Sequence, residues 1–143
     1  MNCHKRNLKR CNYKSIERAF NNSSQNFIDT GTTLNLLGTL ATDTGVSIKT
    51  NNNNFTINNC GTYSISADVT IEPTSAGNVI LQLYKNNVAL PCAILEVTVA
   101  LTDIYTLHVE TDLYLKEDDV ISVNISGVNG SVNWIGATCE KLA

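Results

Sequence analysis

The chain has 143 residues, a net charge of −3 and only 16% charged residues, enough for one domain with a sizeable core. No apolar run approaches the length of a membrane-spanning helix, and the amino end lacks the apolar stretch of a secretory signal, so synthesis in a reducing cytoplasm is expected. The five cysteines, Cys3, Cys11, Cys60, Cys92 and Cys139, are odd in number and lack framework spacing, which speaks against a disulfide scaffold.

Residues 1–20 hold six bases against Glu17 alone, a net of +5, whereas residues 21–143 hold four bases and twelve acids, a net of −8. Tyr13, Ile16 and Phe20 make a weak helical stripe in the basic segment, and Asn21-Asn22-Ser23-Ser24 reads as a linker or turn. The expected organisation is a basic anchor over residues 1–22 and a folded domain over 23–143. The anchor's contact residues would be Lys5, Arg6, Lys9, Arg10, Tyr13, Lys14, Ile16, Arg18 and Phe20. A disordered basic tail is the plainer alternative.

Strand signals run from Gln25 to the end. Gln25 to Thr30 is a first candidate, followed by short extended pieces around Thr39 to Thr44. Val46 and Ile48 alternate with polar residues, and so do Phe55 and Ile57 after the Asn51 to Asn54 turn. From Gly61 the alternation is unbroken: Tyr63, Ile65, Ala67, Val69 and Ile71 fall on one face, and Thr62, Ser64, Ser66, Asp68 and Thr70 on the other. A one-residue slip would turn that whole apolar row to water, so burial at about 1.5–3 kcal/mol per large side chain fixes the register.

Pro73 to Gly77 makes a loop. Val79, Leu81 and Leu83 then share a face while Ile80 and Tyr84 make the opposite face apolar, as a central or subunit-facing strand requires. Asn86-Asn87 turns the chain into Val88 to Cys92, and Leu95, Val97, Val99 and Leu101 follow on one side. Tyr105, Leu107, Val109, Leu113 and Leu115 form the longest inward row, and Lys116 to Asp119 turns into Ile121, Val123 and Ile125. The last segment, with Trp134, Ile135, Gly136, Ala137 and Cys139, is apolar on both faces. About ten short strands without a helix indicate a sandwich or barrel.

Phe55-Thr56-Ile57-Asn58-Asn59-Cys60-Gly61-Thr62-Tyr63-Ser64-Ile65-Ser66-Ala67 resembles the F-x-I-x-x-x-G-x-Y-x-I-x-A signature of the tumour-necrosis-factor and complement globular-head superfamily. Leu83 to Asn87 resembles its "L-x-x-N-G" strand and turn. Leu113 to Val123 resembles its "L-x-L-x-x-G-D-x-V-x-V" stretch, with Asp118 where glycine is usual. The nearest look-alikes are the carboxyl-terminal domain of the collagen-like glycoprotein of bacterial spores and phage head-fibre domains. The resemblance implies an all-β, ten-strand jelly-roll sandwich that is homotrimeric, with Ile80, Tyr84 and Trp134 as candidate trimer-interface residues.

Catalytic signals are sparse, and no enzyme is expected. His108 with Glu110 is a conceivable acid–base pair, but an exposed strand histidine is the plainer reading. Cys3, His4 and Cys11 lack zinc-site spacing, and Glu117, Asp118 and Asp119 read as a solvated acidic turn rather than a calcium site. Cys139 and the other body cysteines read as small core residues. Trp134 reads as a core or interface aromatic rather than a sugar platform. No cofactor or metal is expected.

The basic segment lacks the dense arginine and aromatic interleaving of a nucleic-acid grip, and its apolar stripe is too weak for a membrane. It suits an acidic protein lattice. The expected function is a structural virion protein of a tailed phage: a head fibre, capsid decoration or other appendage, bound through residues 1–22 to a capsid or other virion protein. The alternatives are an adhesion module binding a host-surface glycan or receptor through the Asn51 to Asn54 and Pro73 to Gly77 loops, or a spore-surface protein.

Overall fold

The computed structural model of the chain describes residues 15–143. The described residues form twelve strands and no helix: β1 (Ile16–Asn21), β2 (Gln25–Phe27), β3 (Thr32–Thr33), β4 (Thr39–Thr44), β5 (Ile48–Thr50), β6 (Phe55–Ile57), β7 (Gly61–Pro73), β8 (Gly77–Lys85), β9 (Val88–Val99), β10 (Tyr105–Leu115), β11 (Val120–Ser126) and β12 (Gly130–Lys141). Sheet one runs β10-β7-β12-β1-β4, with β2 also on β12. Sheet two runs β5-β6-β11-β8-β9, with β3 also on β11. The pairings are antiparallel, so each sheet buries one face and turns the other outward.

The alternation read from Gly61 to Ile71 appears directly as burial, with every odd position of β7 inside and every even position outside. Its inward row meets Phe55, Ile57, Val79, Leu81, Leu83, Leu115, Ile121, Val123 and Ile125 in one core between the sheets. The Asn86-Asn87 turn has both residues at positive φ, 52° and 64°. That conformation matches the right-handed twist of a two-residue hairpin, and asparagine tolerates it. Asp118 also lies at positive φ, 73°, which accounts for an aspartate where the resembling motif has glycine.

The structure corrects the amino-terminal boundary. Ile16–Asn21 is a strand inside sheet one, between β12 and β4, not a helical anchor. Its inward positions are Glu17, Ala19 and Asn21, and its outward ones Ile16, Arg18 and Phe20. The larger apolar residues point away from the core, so the hydrophobic alternation is inverted and β1 does not read as a strand. Of the anchor residues, Ile16, Arg18 and Phe20 therefore belong to the folded domain. Lys5, Arg6, Lys9, Arg10, Tyr13 and Lys14 lie outside the described residues.

Smaller corrections follow from strand ends. Leu101 is 52% exposed because β9 stops at Val99, and Val46 is 73% exposed because β5 begins only at Ile48. Val88 to Val99 is one strand, with a register break opposite Gln82 and Tyr84. Among the body cysteines only Cys139 is a buried thiol; Cys92 is an exposed thiol and Cys60 is disulfide-bonded.

Candidate functional site

The outward face of sheet one gathers the side chains that the core does not use. The register aligns His108, Asp68, Gly136 and Phe20 in one row across β10, β7, β12 and β1. The next row holds Thr106, Thr70 and Trp134, and the rows on the other side hold Glu110, Ser66, Thr138 and Arg18, then Asp112, Ser64, Glu140 and Ile16. The face is rich in hydroxyls and carboxylates around a small aromatic centre.

Trp134 reaches that centre through a local irregularity. The register of β12 against β7 shifts between Val132 and Trp134, which directs Trp134 outward while Ile135, Ala137 and Cys139 stay inside. A Cβ on Gly136 would lie 2.5 Å from the Trp134 ring. The indole therefore lies along its own strand in the space that glycine leaves, beside Phe20, and remains 37% exposed.

His108 is held between two carboxylates. Its Nδ1 is 2.6 Å from Asp68 Oδ1 and its Nε2 is 3.6 Å from Glu110 Oε1. The hydrogen bond to Asp68 raises the imidazole's proton affinity above its ordinary value, with the charges of Asp68 and Glu110 adding to it and partial burial opposing it. Both ring nitrogens are occupied, an arrangement that orients the imidazole.

Strand β10 ends sheet one, so its outer backbone edge has no strand partner among the described residues. This eleven-residue edge carries His108, Glu110, Asp112 and the 52%-exposed Tyr114. Long unpaired edges are pairing sites unless something covers them.

The three expected interface residues do not form one patch. Trp134 is on the outer face of sheet one, whereas Ile80 and Tyr84 lie half-buried on the outer face of sheet two, opposite Glu96 and Ala89 of β9 and Ser126 and Ser122 of β11. Phe20, Ile16, Tyr114 and the Asp68–His108 pair had not been singled out for this face. The pair depends on the β7–β10 register, which local sequence does not reveal.

The two expected recognition loops also differ. Asn51 to Asn54 is closed on itself: Asn51 Nδ2 donates to Asn54 Oδ1 at 2.7 Å and to Thr56 Oγ1 at 2.8 Å, and Asn52 O accepts from Leu36 N and Leu37 N. Pro73 to Gly77 lies at the end of the sandwich opposite Ser15. There Asn129 links it to the turn after β2, and Pro73 O accepts from Thr102 N. Ile28, Leu101 and Ile104 stand exposed at that end, at 54%, 52% and 65%.

The acidic turn is committed to structure. Asp119 Oδ2 accepts from Lys116 N, Asp119 Oδ1 accepts from Asn86 Nδ2, and Lys85 Nζ lies 3.9 Å from Oδ2. Among the described residues no group of three His, Cys, Asp or Glu is placed to hold a metal ion.

No protein-family model and no curated protein matches the chain. Solved structures do. Murine APRIL is 12% identical with a TM-score of 0.67, covering 91% of this chain and 100% of its own. Vertex protein P5 of PRD1 is 15% identical with a TM-score of 0.67, over 90% and 97%. Eiger TNF from S. frugiperda is 10% identical with a TM-score of 0.65, over 91% and 92%. At these identities the likeness concerns fold, and it establishes the two-sheet sandwich as a TNF-like jelly roll.

Proposed function

We propose that the chain is a non-enzymatic structural protein of a tailed-phage virion, a homotrimeric head fibre, decoration or vertex appendage. The observation that carries this reading is the whole-length fold likeness to a protein named for a virion vertex, beside the five bases and no acids of residues 1–14. Those residues join the domain at the start of β1, at the end of the sandwich away from Pro73 to Gly77. Such polarity suits a particle-side anchor and an outward tip. Copies would meet through the outer face of sheet one, where Trp134 and Phe20 lie in neighbouring rows, and the β10 edge, which carries Tyr114 at its far end.

Deleting residues 1–14 tests the anchor while keeping β1 intact. The shortened chain should fold, self-associate and be missing from purified particles. Incorporation at the full-length level would overturn the anchor. A deletion through residue 20 would instead remove most of a central strand and report on folding.

A second reading, recognition of a host-surface glycan or receptor, is favoured by the exposed Ile28, Leu101 and Ile104 at the distal end. A glycan array and a host-cell binding assay with the chain test it, and no signal in either would leave the structural role alone.

A further inference from the structure

Cys60 is the one disulfide-bonded cysteine among the described residues. The chain has five cysteines, and Cys92 and Cys139 are free thiols. Within the chain the bond therefore runs to Cys3 or Cys11, the two that precede Ser15 in the basic segment. The proposed function makes no use of this bond.

Cys60 stands where such a bond can close. It is half-buried just ahead of β7. Strands β1 and β7 both run antiparallel to β12, so their first residues lie at the same end of sheet one. Lys141 of β12 bridges them: it pairs with Tyr63, and its N–H donates to Ser15 O at 2.8 Å. Ser47 adds a second connection, since its N–H donates to Ser15 Oγ at 3.0 Å and its Oγ accepts from Asn59 Nδ2 at 3.2 Å. Asn59 O in turn accepts from Tyr63 Oη at 2.5 Å. These contacts hold the entry to β1 and the Asn59-Cys60 segment against one another.

Two strand spacings separate Ser15 from Tyr63, about 10 Å, and Cys60 lies three residues before Tyr63, which puts it about 14 Å from Ser15. The four residues from Ser15 back to Cys11 reach up to about 14 Å, and the bond itself spans about 5.5–6 Å between Cα atoms. Cys11 is therefore within reach with slack. Cys3 is twelve residues ahead of Ser15, and closing that longer loop is about fivefold less favourable on chain statistics.

We propose that a Cys11–Cys60 disulfide straps the basic segment to the domain beside the entry to β1. Bond formation removes two protons and two electrons from the two thiols; a small-molecule disulfide such as oxidised glutathione takes them up and leaves as two thiols. The bond divides the basic segment, with Lys14 inside the closed loop and Lys5, Arg6, Lys9 and Arg10 beyond it. Oxidation therefore fixes where those four bases leave the domain, and reduction returns that choice to the backbone ahead of β1 alone. The strap stands independently of the virion reading.

Peptide mapping of the full chain tests the strap. Trypsin places the five cysteines in five different peptides, residues 1–5, 11–14, 50–85, 86–116 and 117–141. The chain is equilibrated with oxidised glutathione, unfolded in alkylating reagent and digested. Mass spectrometry should then find residues 11–14 joined to residues 50–85, a pair lost on reduction, with neither Cys92 nor Cys139 in a cross-linked peptide. A pair joining Cys3 to Cys60 should be about fivefold rarer. The main pair should persist in Cys3→Ser, and the oxidised chain should run as a monomer on a denaturing, non-reducing gel. Cys60 found alkylated or capped by glutathione, joined mainly to Cys3, or joined to Cys92, Cys139 or a second copy would overturn the proposal.

Discussion

Replacing Trp134 with alanine should weaken self-association without unfolding the subunit. The indole keeps 37% of its surface exposed. A tryptophan presents up to about 250 Å², so about 90 Å² is left for a second copy to cover. At about 25 cal/mol per Å², that is about 2 kcal/mol per subunit contact, or a weakening of roughly 30-fold. Sedimentation velocity over a concentration series gives the midpoint of association. A thermal melt run alongside separates this effect from packing lost over Gly136. Ile80→Ala and Tyr84→Ala, on the opposite sheet, serve as comparison variants and should leave the midpoint unchanged. The reasoning fails if Trp134→Ala keeps the wild-type midpoint, or if the sheet-two variants are the ones that dissociate. A wild-type chain that sediments as a monomer at micromolar concentration would remove the trimer altogether.

Two further outcomes follow from the geometry. Gly127 sits at φ +96°, and a Cβ there would run into the Asn78 carbonyl oxygen; Gly127→Ala should therefore cost about 2–4 kcal/mol in chemical denaturation, and an unchanged transition would contradict the placement. His108 should titrate above its ordinary value, because Asp68 favours the imidazolium. Its contribution to stability is present below about 6.5 and is lost as pH rises through the folded value. Titration of the imidazole followed by NMR should show the value falling in Asp68→Asn, and no change there would separate the two side chains.

Segments that carry their own periodicity were legible. The β7 row, the β8 row from Val79 to Leu83, the β10 row and the β11 row place their apolar residues at alternate positions; burial follows β7 residue by residue, whereas Thr111 interrupts the β10 row and Ser122 of β11 is buried against its pattern. The Asn86-Asn87 turn and the Lys116 to Asp119 turn were visible from residue chemistry alone. Strand β1 was not, because its inward side chains are Glu17, Ala19 and Asn21 and its outward ones include Ile16 and Phe20. Its place between β12 and β4 is fixed by long-range backbone pairing, which overrides local hydrophobic pattern.

The candidate face shows the same division. Trp134 could be singled out as unusual, but its grouping with Phe20 rather than with Ile80 and Tyr84 depends on which sheet each strand joins. The Asp68–His108 contact spans forty residues of sequence, and the pairing of Glu17 with Asp43 joins two strands separated by a long excursion through β2 and β3.

Alternation of side chains determined by itself that this protein is an all-β sandwich or barrel, since period-two burial is a property of each strand alone. Which outward faces become one surface and where the domain begins were decided only by tertiary structure. Those features arise from register between strands distant in the chain, and no local stretch encodes that register.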